Sequence, residues 1–562
     1  MESARIGPLC LWLAILLVSC APASGRAPIA APTTASEPAR RSMTIALAGE
    51  PGVLEPSLLS ASREIAPLAS AFLVMVNPQQ EAKPYLAAEL PSVAAGTWKV
   101  LPNGTMETTY KLRPNATWHD GQPLTAHDFV FAFQARLDPT FPGQRIGIER
   151  RLSNATAVDD HTLFLEWKQP YMNAGRIAPP DFAPMHRQNL ERVFNEDKPN
   201  FVDGPHWREQ FVGAGPYRVE RWEPGVEIAF RAHEGWVLGK PGIDQLLIKI
   251  IPDSNTITAS LLGNQADIAF SESIGFPQGQ ALEGAWSDGK VTYRPRNPRI
   301  LEFQTRDWGQ TQRAVSDVRV RRAALYAIDR QAIVDTIYAG KGRVVHFWLP
   351  PSDPSFAAAD RVVPKYDFDP ARAAAMLTEA GWTKGADGIA RNPVGEPLDI
   401  PMQNQPNDFD QQEALVVADN WKGAGINSEV RRLSPQELRD NQLRSTYAGV
   451  AYSRRAFTLE DMVWISPQIP RAENRWAGQN RNGYQNQTLE DTWLRALGTI
   501  DQKEREGLLI QALQSMMDDA VVTLTHMQPG VMAYNGRAVG PEMPDDALAA
   551  GPLWNVGEWR WN

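Results

Sequence analysis

Short alternations of apolar and polar residues recur along the chain, separated by turn residues, and give way in places to three- and four-residue spacing. Residues 43–48 alternate as a first strand would, and Gly49-Glu50-Pro51-Gly52 breaks the run. The same period of two returns at 105–112, between Pro102-Asn103-Gly104 and Arg113-Pro114. Helical spacing follows. Thr125 is a predicted cap, Asp128 faces the amide dipole, and Phe129, Phe133 and Leu137 form the expected apolar face. After Ser316-Asp317, Val320, Ala324, Ala327 and Ile328 share one face, while Arg319, Arg321 and Arg322 favour solvent or a polar partner. Asp329 caps a continuation through Ile333 and Ile337 that stops at Gly340. A third helix is punctuated at both ends, by Asp369 and Pro370 before it and Gly381 after it. Further strands are predicted at 216–231, 244–251, 398–402 and 427–433, and helices at 410–424, 488–498 and 502–519. Irregular alternation of the two kinds predicts a mixed α/β fold and not a repeat array.

At 562 residues the chain exceeds what one core usually organises, so two or more lobes are expected. A formal net charge of -9, with acids and bases mixed throughout, argues against nucleic acid as the partner, because phosphate binding needs concentrated Lys and Arg. The N-terminus changes the picture more. Arg5 precedes an uncharged run rich in Leu and Ile that is too short to span a bilayer and suits a secretory signal. The run ends in Leu17-Val18-Ser19-Cys20, which resembles a bacterial lipobox with Cys20 as the lipidated residue; the alternative is an ordinary signal cut near Ala23 or Gly25. The reading is a signal peptide over 1–19 and a flexible tether over 20–42, where Ala, Pro, Ser, Thr and Arg leave almost nothing to bury. Of the two Cys, Cys10 falls inside the segment to be removed, so no intramolecular disulfide is expected. No later segment has 18 uninterrupted apolar residues, so no membrane helix is expected after it. One acyl chain would hold the body at a bacterial membrane, in the periplasm or at the cell surface.

Catalytic patterns are missing from the sequence: no Gly-x-Ser-x-Gly elbow, no His-Glu-x-x-His pair, no phosphate-cradling Gly-rich loop and no Cys-x-x-Cys. His119-Asp120 and His127-Asp128 could be imagined as a metal site, but a Gly-Gln-Pro turn lies between them and surface or cap roles are the alternative. What the chain does carry is an ordered set of segments. Glu81-Ala-Lys-Pro-Tyr-Leu-Ala-Ala-Glu89 comes first, then Trp118-His-Asp-Gly-Gln-Pro-Leu-Thr-Ala-His-Asp-Phe-Val-Phe131. Gly213-Ala-Gly-Pro-Tyr-Arg-Val219 and Leu261-Leu-Gly-Asn-Gln-Ala-Asp-Ile268 follow. Asp317-Val-Arg-Val-Arg-Arg-Ala-Ala-Leu-Tyr-Ala-Ile-Asp-Arg330 and Tyr366-Asp-Phe-Asp-Pro-Ala-Arg-Ala-Ala-Ala-Met-Leu-Thr-Glu-Ala-Gly-Trp382 complete it. In this order they resemble the family-five extracellular solute-binding proteins, the peptide- and nickel-binding lipoproteins of ABC importers. Physically the segments read as turns and capped helices, so they report a fold and not a site.

The resemblance implies a two-lobed periplasmic-binding-protein type II-like fold with an extra subdomain in the first lobe and a ligand cleft between the lobes. The first lobe would comprise 43–300 and 525–562, and the second 301–524. It further implies a monomeric receptor that closes on a small organic solute, oligopeptide or peptide-like, and delivers it to permease subunits without reaction or cofactor. Alternatives are an acidic or sugar-containing solute, nickel or haem on the same fold, and, from another class, an exported hydrolase. Many peptide-binding members place an Asp where this chain reads Tyr447 to Leu459, a stretch without any acid. Arg454 and Arg455 stand there instead. They suit a ligand carboxylate or phosphate, or else lie on a solvated turn paired with Glu460 and Asp461. The loop after a second-lobe strand offers Gln403, Asn404, Asn407 and Phe409 as ligand contacts, or is an ordinary Asn-rich turn. Tyr452, Trp464 and Trp476 could stack on a sugar ring or line an apolar pocket, although most of the 18 Trp belong to the core.

Overall fold

Fifteen residues from Gly289 to Phe303 and fourteen from Val522 to Asn535 form two long strands around which the rest of the protein is arranged. The computed structural model describes residues 42–55, 62–79, 81–141, 147–179, 181–271, 273–306, 314–349, 351, 353–455, 462–544 and 551–562. Cys20, the signal and the tether lie outside them, as do Glu460 and Asp461. The two strands pair antiparallel from Gly289↔Asn535 to Glu302↔Val522. Their register shifts on both sides of Pro298, whose missing N–H cannot serve a ladder bond.

One mixed eleven-stranded sheet runs through both strands. On one side of the pair, Ile268–Phe270, Ser42–Leu47 and Gln245–Ile250 continue it, then Glu227–Ala232 and Tyr217–Glu223. On the other side stand Val450–Arg454, Met402–Asn404 and Val430–Arg432. Ser42–Leu47, paired in parallel with Gln245–Ile250, is buried along Met43, Ile45 and Leu47 on one face and at Ala46 on the other, where Thr44 is half-buried. The side chains do not pack into one core. The buried residues of the largest apolar cluster all lie between Ile300 and Met527, and those of the others before Leu301 or after Leu524, with only partly buried side chains such as Met172 and Ile500 packing across the division. Two lobes therefore share one sheet, and the long strands are the seam.

An added subdomain in the first lobe contains a separate four-stranded sheet, ordered Trp98–Val100, Met106–Lys111, Thr162–Trp167, Leu152–Asp159, with the helix Ala126–Leu137 against it. That helix begins in a capping box between Thr125 and Asp128. Phe129 and Phe133 are buried as expected, but Leu137 is 38% exposed. Phe131, Ala132 and Ala135 are buried in a second cluster instead, because the helix is covered on two sides.

The second-lobe helices follow their punctuation closely. Val318–Tyr326 is capped by Asp317, Arg330–Tyr338 by Asp329, and Pro370–Glu379 by Asp369, with Gly381 at φ +90° just beyond. Arg321 is buried and donates to the Asp519 carbonyl at the end of Gln502–Asp519. Arg322 donates to the neighbouring carbonyl of Asp518. The polar partner of this arginine face is thus the C-terminus of another helix. The strand expected at 398–402 is displaced to Met402–Asn404, because only there does the chain lie beside both of its neighbours.

Candidate ligand-binding site

Where the long strands pass from one core to the other, the sheet carries an unusual density of buried polar groups. Arg299 places its guanidinium 2.6 Å from Asp410 and 2.7 Å from Glu413, with all three side chains at most 1% exposed. Asp410 and Glu413 sit one turn apart in the helix Asp408–Ala424, so one face of that helix presents both carboxylates to the strand. Glu413 also meets His526 at 3.0 Å and accepts from the Tyr338 hydroxyl. Burial by itself raises the Glu413 carboxyl, but Arg299, His526 and the Tyr338 hydroxyl outweigh it and hold it down at about 2. Asp410 is pushed up by burial, which Arg299 only partly offsets. This cluster locks the helix to the seam.

The residues singled out in the sequence fall into three groups around that seam. Asn404 ends Met402–Asn404, is 1% exposed, and has no partner for either side-chain amide atom among the described residues. Gln403 beside it is also buried. A buried carboxamide without hydrogen bonds costs roughly 1–3 kcal/mol, so such a group is suited to a bound molecule. Asn407 is used as a helix cap, its Oδ1 accepting from the backbone of Phe409 at 2.9 Å. Phe409 is half-buried and stacks on Tyr338 at 5.7 Å. Tyr452 is fully buried in the second-lobe core, 3.3 Å from the Thr525 hydroxyl, and Trp464 is 1% exposed. The Trp464 indole donates to Glu302 at 2.8 Å and packs edge-on against Trp348, so neither ring has a free face for stacking in this conformation.

Arg454 and Arg455 close the strand Val450–Arg454, next to Pro298 at the seam. Arg454 is exposed. Arg455 lies over the Trp464 ring at 5.4 Å, with Glu302 3.6 Å away. Glu302, Arg444, Arg481 and Asn482 join this group and were not anticipated. Asn482 is fully buried with both amide atoms unpartnered among the described residues. These residues come from three distant segments, around 302, 444 and 481–482, and no local pattern marks them.

His119 and Asp120 do not approach His127 and Asp128 as a common ligand set. His119 accepts from the Gly213 amide and donates to the Gly215 carbonyl, with burial pushing the imidazole down to about 3. Asp120 pairs with His186 at 3.0 Å, and Asp128 caps its helix.

A shared sheet between two lobes with their own cores, with polar side chains at the seam unpartnered among the described residues, defines a two-lobed binding protein. The profile of bacterial extracellular solute-binding proteins, family 5 (middle region), matches residues 90–465, and the chain belongs to this family. The oligopeptide-binding protein AppA of Bacillus subtilis is 24% identical over 564 residues, covering 97% of this chain and 96% of that protein. Protein XP55 of Streptomyces lividans is 30% identical over 394 residues, 70% of this chain and 67% of its own. In structure, the periplasmic EDTA-binding protein EppA superposes with a TM-score of 0.76 at 17% identity, covering 93% of this chain and 97% of that one. The chain is a solute-binding protein of the kind that serves ABC importers, and not an enzyme. Among the described residues no helix is long and apolar enough to cross a membrane.

Proposed function

We propose that this protein is the lipid-anchored receptor of an ABC importer, capturing a small organic solute outside the cytoplasmic membrane and handing it to the permease. The observation that carries this reading is the seam itself: two lobes joined through a pair of long strands, with the buried Asn404 and Asn482 carboxamides unpartnered among the described residues on one side of it. A molecule enclosed between the lobes would supply the missing hydrogen bonds only in the closed form, and closure would follow from that difference. The lobes are taken as 43–300 with 525–562, and 301–524. Of the candidate contacts, Gln403, Asn404, Arg454 and Arg455 retain polar atoms for a solute, while Asn407, Phe409, Tyr452 and Trp464 support them. The name of the Bacillus subtilis relative favours an oligopeptide or peptide-like molecule. Nothing in this task requires a reaction, a cofactor or a second copy of the chain.

One experiment tests the reading at its root. Protein purified gently and then denatured should release a small molecule detectable by mass spectrometry. Adding that molecule back should make the stripped protein more compact in X-ray scattering. A protein that releases nothing, and whose scattering is unmoved by every extracellular nutrient tried, would not be a receptor.

A further inference from the structure

Three arginines from separate segments gather in the second lobe: Arg455 lies 3.6 Å from the buried Glu302, Arg481 shares an acceptor with Arg455, and Arg444 feels the charges of both Arg455 and Glu302. Arg455 follows the strand Val450–Arg454, Arg444 lies in the turn Leu443–Ser445, and Arg481 precedes the helix Gln487–Gly498. A fourth arginine sets the spacing. Arg306 Nη1 donates to the Ser445 and Arg481 carbonyls, each at 2.6 Å, and so staples the segments of Arg444 and Arg481 together. Gln479 Oε1 accepts from Arg455 at 3.4 Å and from Arg481 at 3.0 Å, which holds these two like charges beside one oxygen atom.

Glu302 is 2% exposed. One of its oxygens is already taken by the Trp464 indole at 2.8 Å, and the other lies 3.6 Å from Arg455 Nη2, beyond hydrogen-bonding range. Arg455 Nη2 is buried and has no hydrogen-bond partner among the described residues. Among the described residues, three positive groups therefore face one negative group, in surroundings that penalise them. Burial, then Arg455 and Arg444, push the Arg481 guanidinium down to about 9, and burial and Arg455 lower Arg444 as well. Arg306 also lines an open pocket of about 330 Å³ together with Arg471 and Trp476. Like charges gathered in this way are expensive unless an anion joins them.

We infer that Arg444, Arg455 and Arg481 hold the acidic end of the solute, and that the ligand is an organic molecule with at least two carboxylate or phosphate groups close together. The inference rests on the receptor reading above and narrows its substrate class. Planar guanidiniums match both acid types through paired N–H donors, whereas the single carboxylate of a peptide C-terminus would leave part of the excess charge unmet.

Titration calorimetry on the stripped protein tests this with four probes: citrate, pyrophosphate, triglutamate and trialanine. At least one acidic probe should bind, with trialanine at least about tenfold weaker. Whichever acidic probe binds separates carboxylate from phosphate recognition. Arg444→Ala and Arg481→Ala should each weaken that probe by about tenfold or more, and added salt should weaken it further. Arg481→Lys, which keeps the charge and loses the planar fork, should fall between Arg481→Ala and the parent. Trialanine binding as well as the acidic probes would overturn the inference. So would alanine variants that melt like the parent and keep full affinity, or a co-purified solute with fewer than two acidic groups. In each of those cases the protein still binds a solute, so the receptor reading would stand.

Discussion

Arg299 sits between two buried carboxylates; its removal would leave Asp410 without an ion-pair partner among the described residues and Glu413 with only His526, Tyr338 and Gln528. Breaking such a buried pair from one side typically costs about 3–5 kcal/mol, because the remaining charge keeps its desolvation penalty. Arg299→Ala is therefore expected to lower the unfolding free energy by that amount in urea titrations, and a loss below about 1 kcal/mol would contradict the role assigned to it. The same cluster sets a pH dependence. The Glu413 carboxyl is lowered from an ordinary value of 4.5 to about 2 in the folded protein, against the opposing effect of burial. Its contribution is complete above the unfolded value and disappears as pH falls from 4.5 toward about 2. Glu413→Gln should flatten that part of the stability profile.

Among the helices, caps make the clearest link between sequence and structure. Asp317, Asp329 and Asp369 each accept from a backbone N–H in the first turn, and their helices begin where these residues predict. Asn407 does the same for Asp408–Ala424, the helix that carries Asp410 and Glu413 to Arg299. Its capping role bears on the site, because the cap fixes the end of the helix nearest Asn404. Asn407→Ala should cost about 1 kcal/mol in thermal or chemical unfolding, and Asn407→Ser should recover most of it. If the serine variant recovers stability but loses solute affinity, the carboxamide itself touches the ligand. If it recovers both, Asn407 acts through the helix alone.

For the molecule as a whole, the proposed anchor can be separated from the receptor. Cys20→Ser should move the protein from the membrane to the soluble fraction of its host cells while leaving solute affinity unchanged. Retention at the membrane would remove lipidation at Cys20 from the scheme. The division between what is legible in the chain and what is not follows physical range. Period-two runs, caps and terminating glycines act over a few residues, so the strands, the helix starts at Asp317 and Asp369, and the mixed α/β class could be read directly. The family segments added the lobes. The same local rules mistook Leu137 for a core residue, because the second apolar cluster that covers the other face of its helix comes from distant parts of the chain. They also could not show that Tyr452 and Trp464 are enclosed, or that Arg455 lies against Glu302 and shares the Gln479 oxygen with Arg481. Those facts depend on which segments the sheet brings side by side. Local backbone preference was decided by neighbours in the sequence; charge balance, burial and the recognition surface were decided only by neighbours in space.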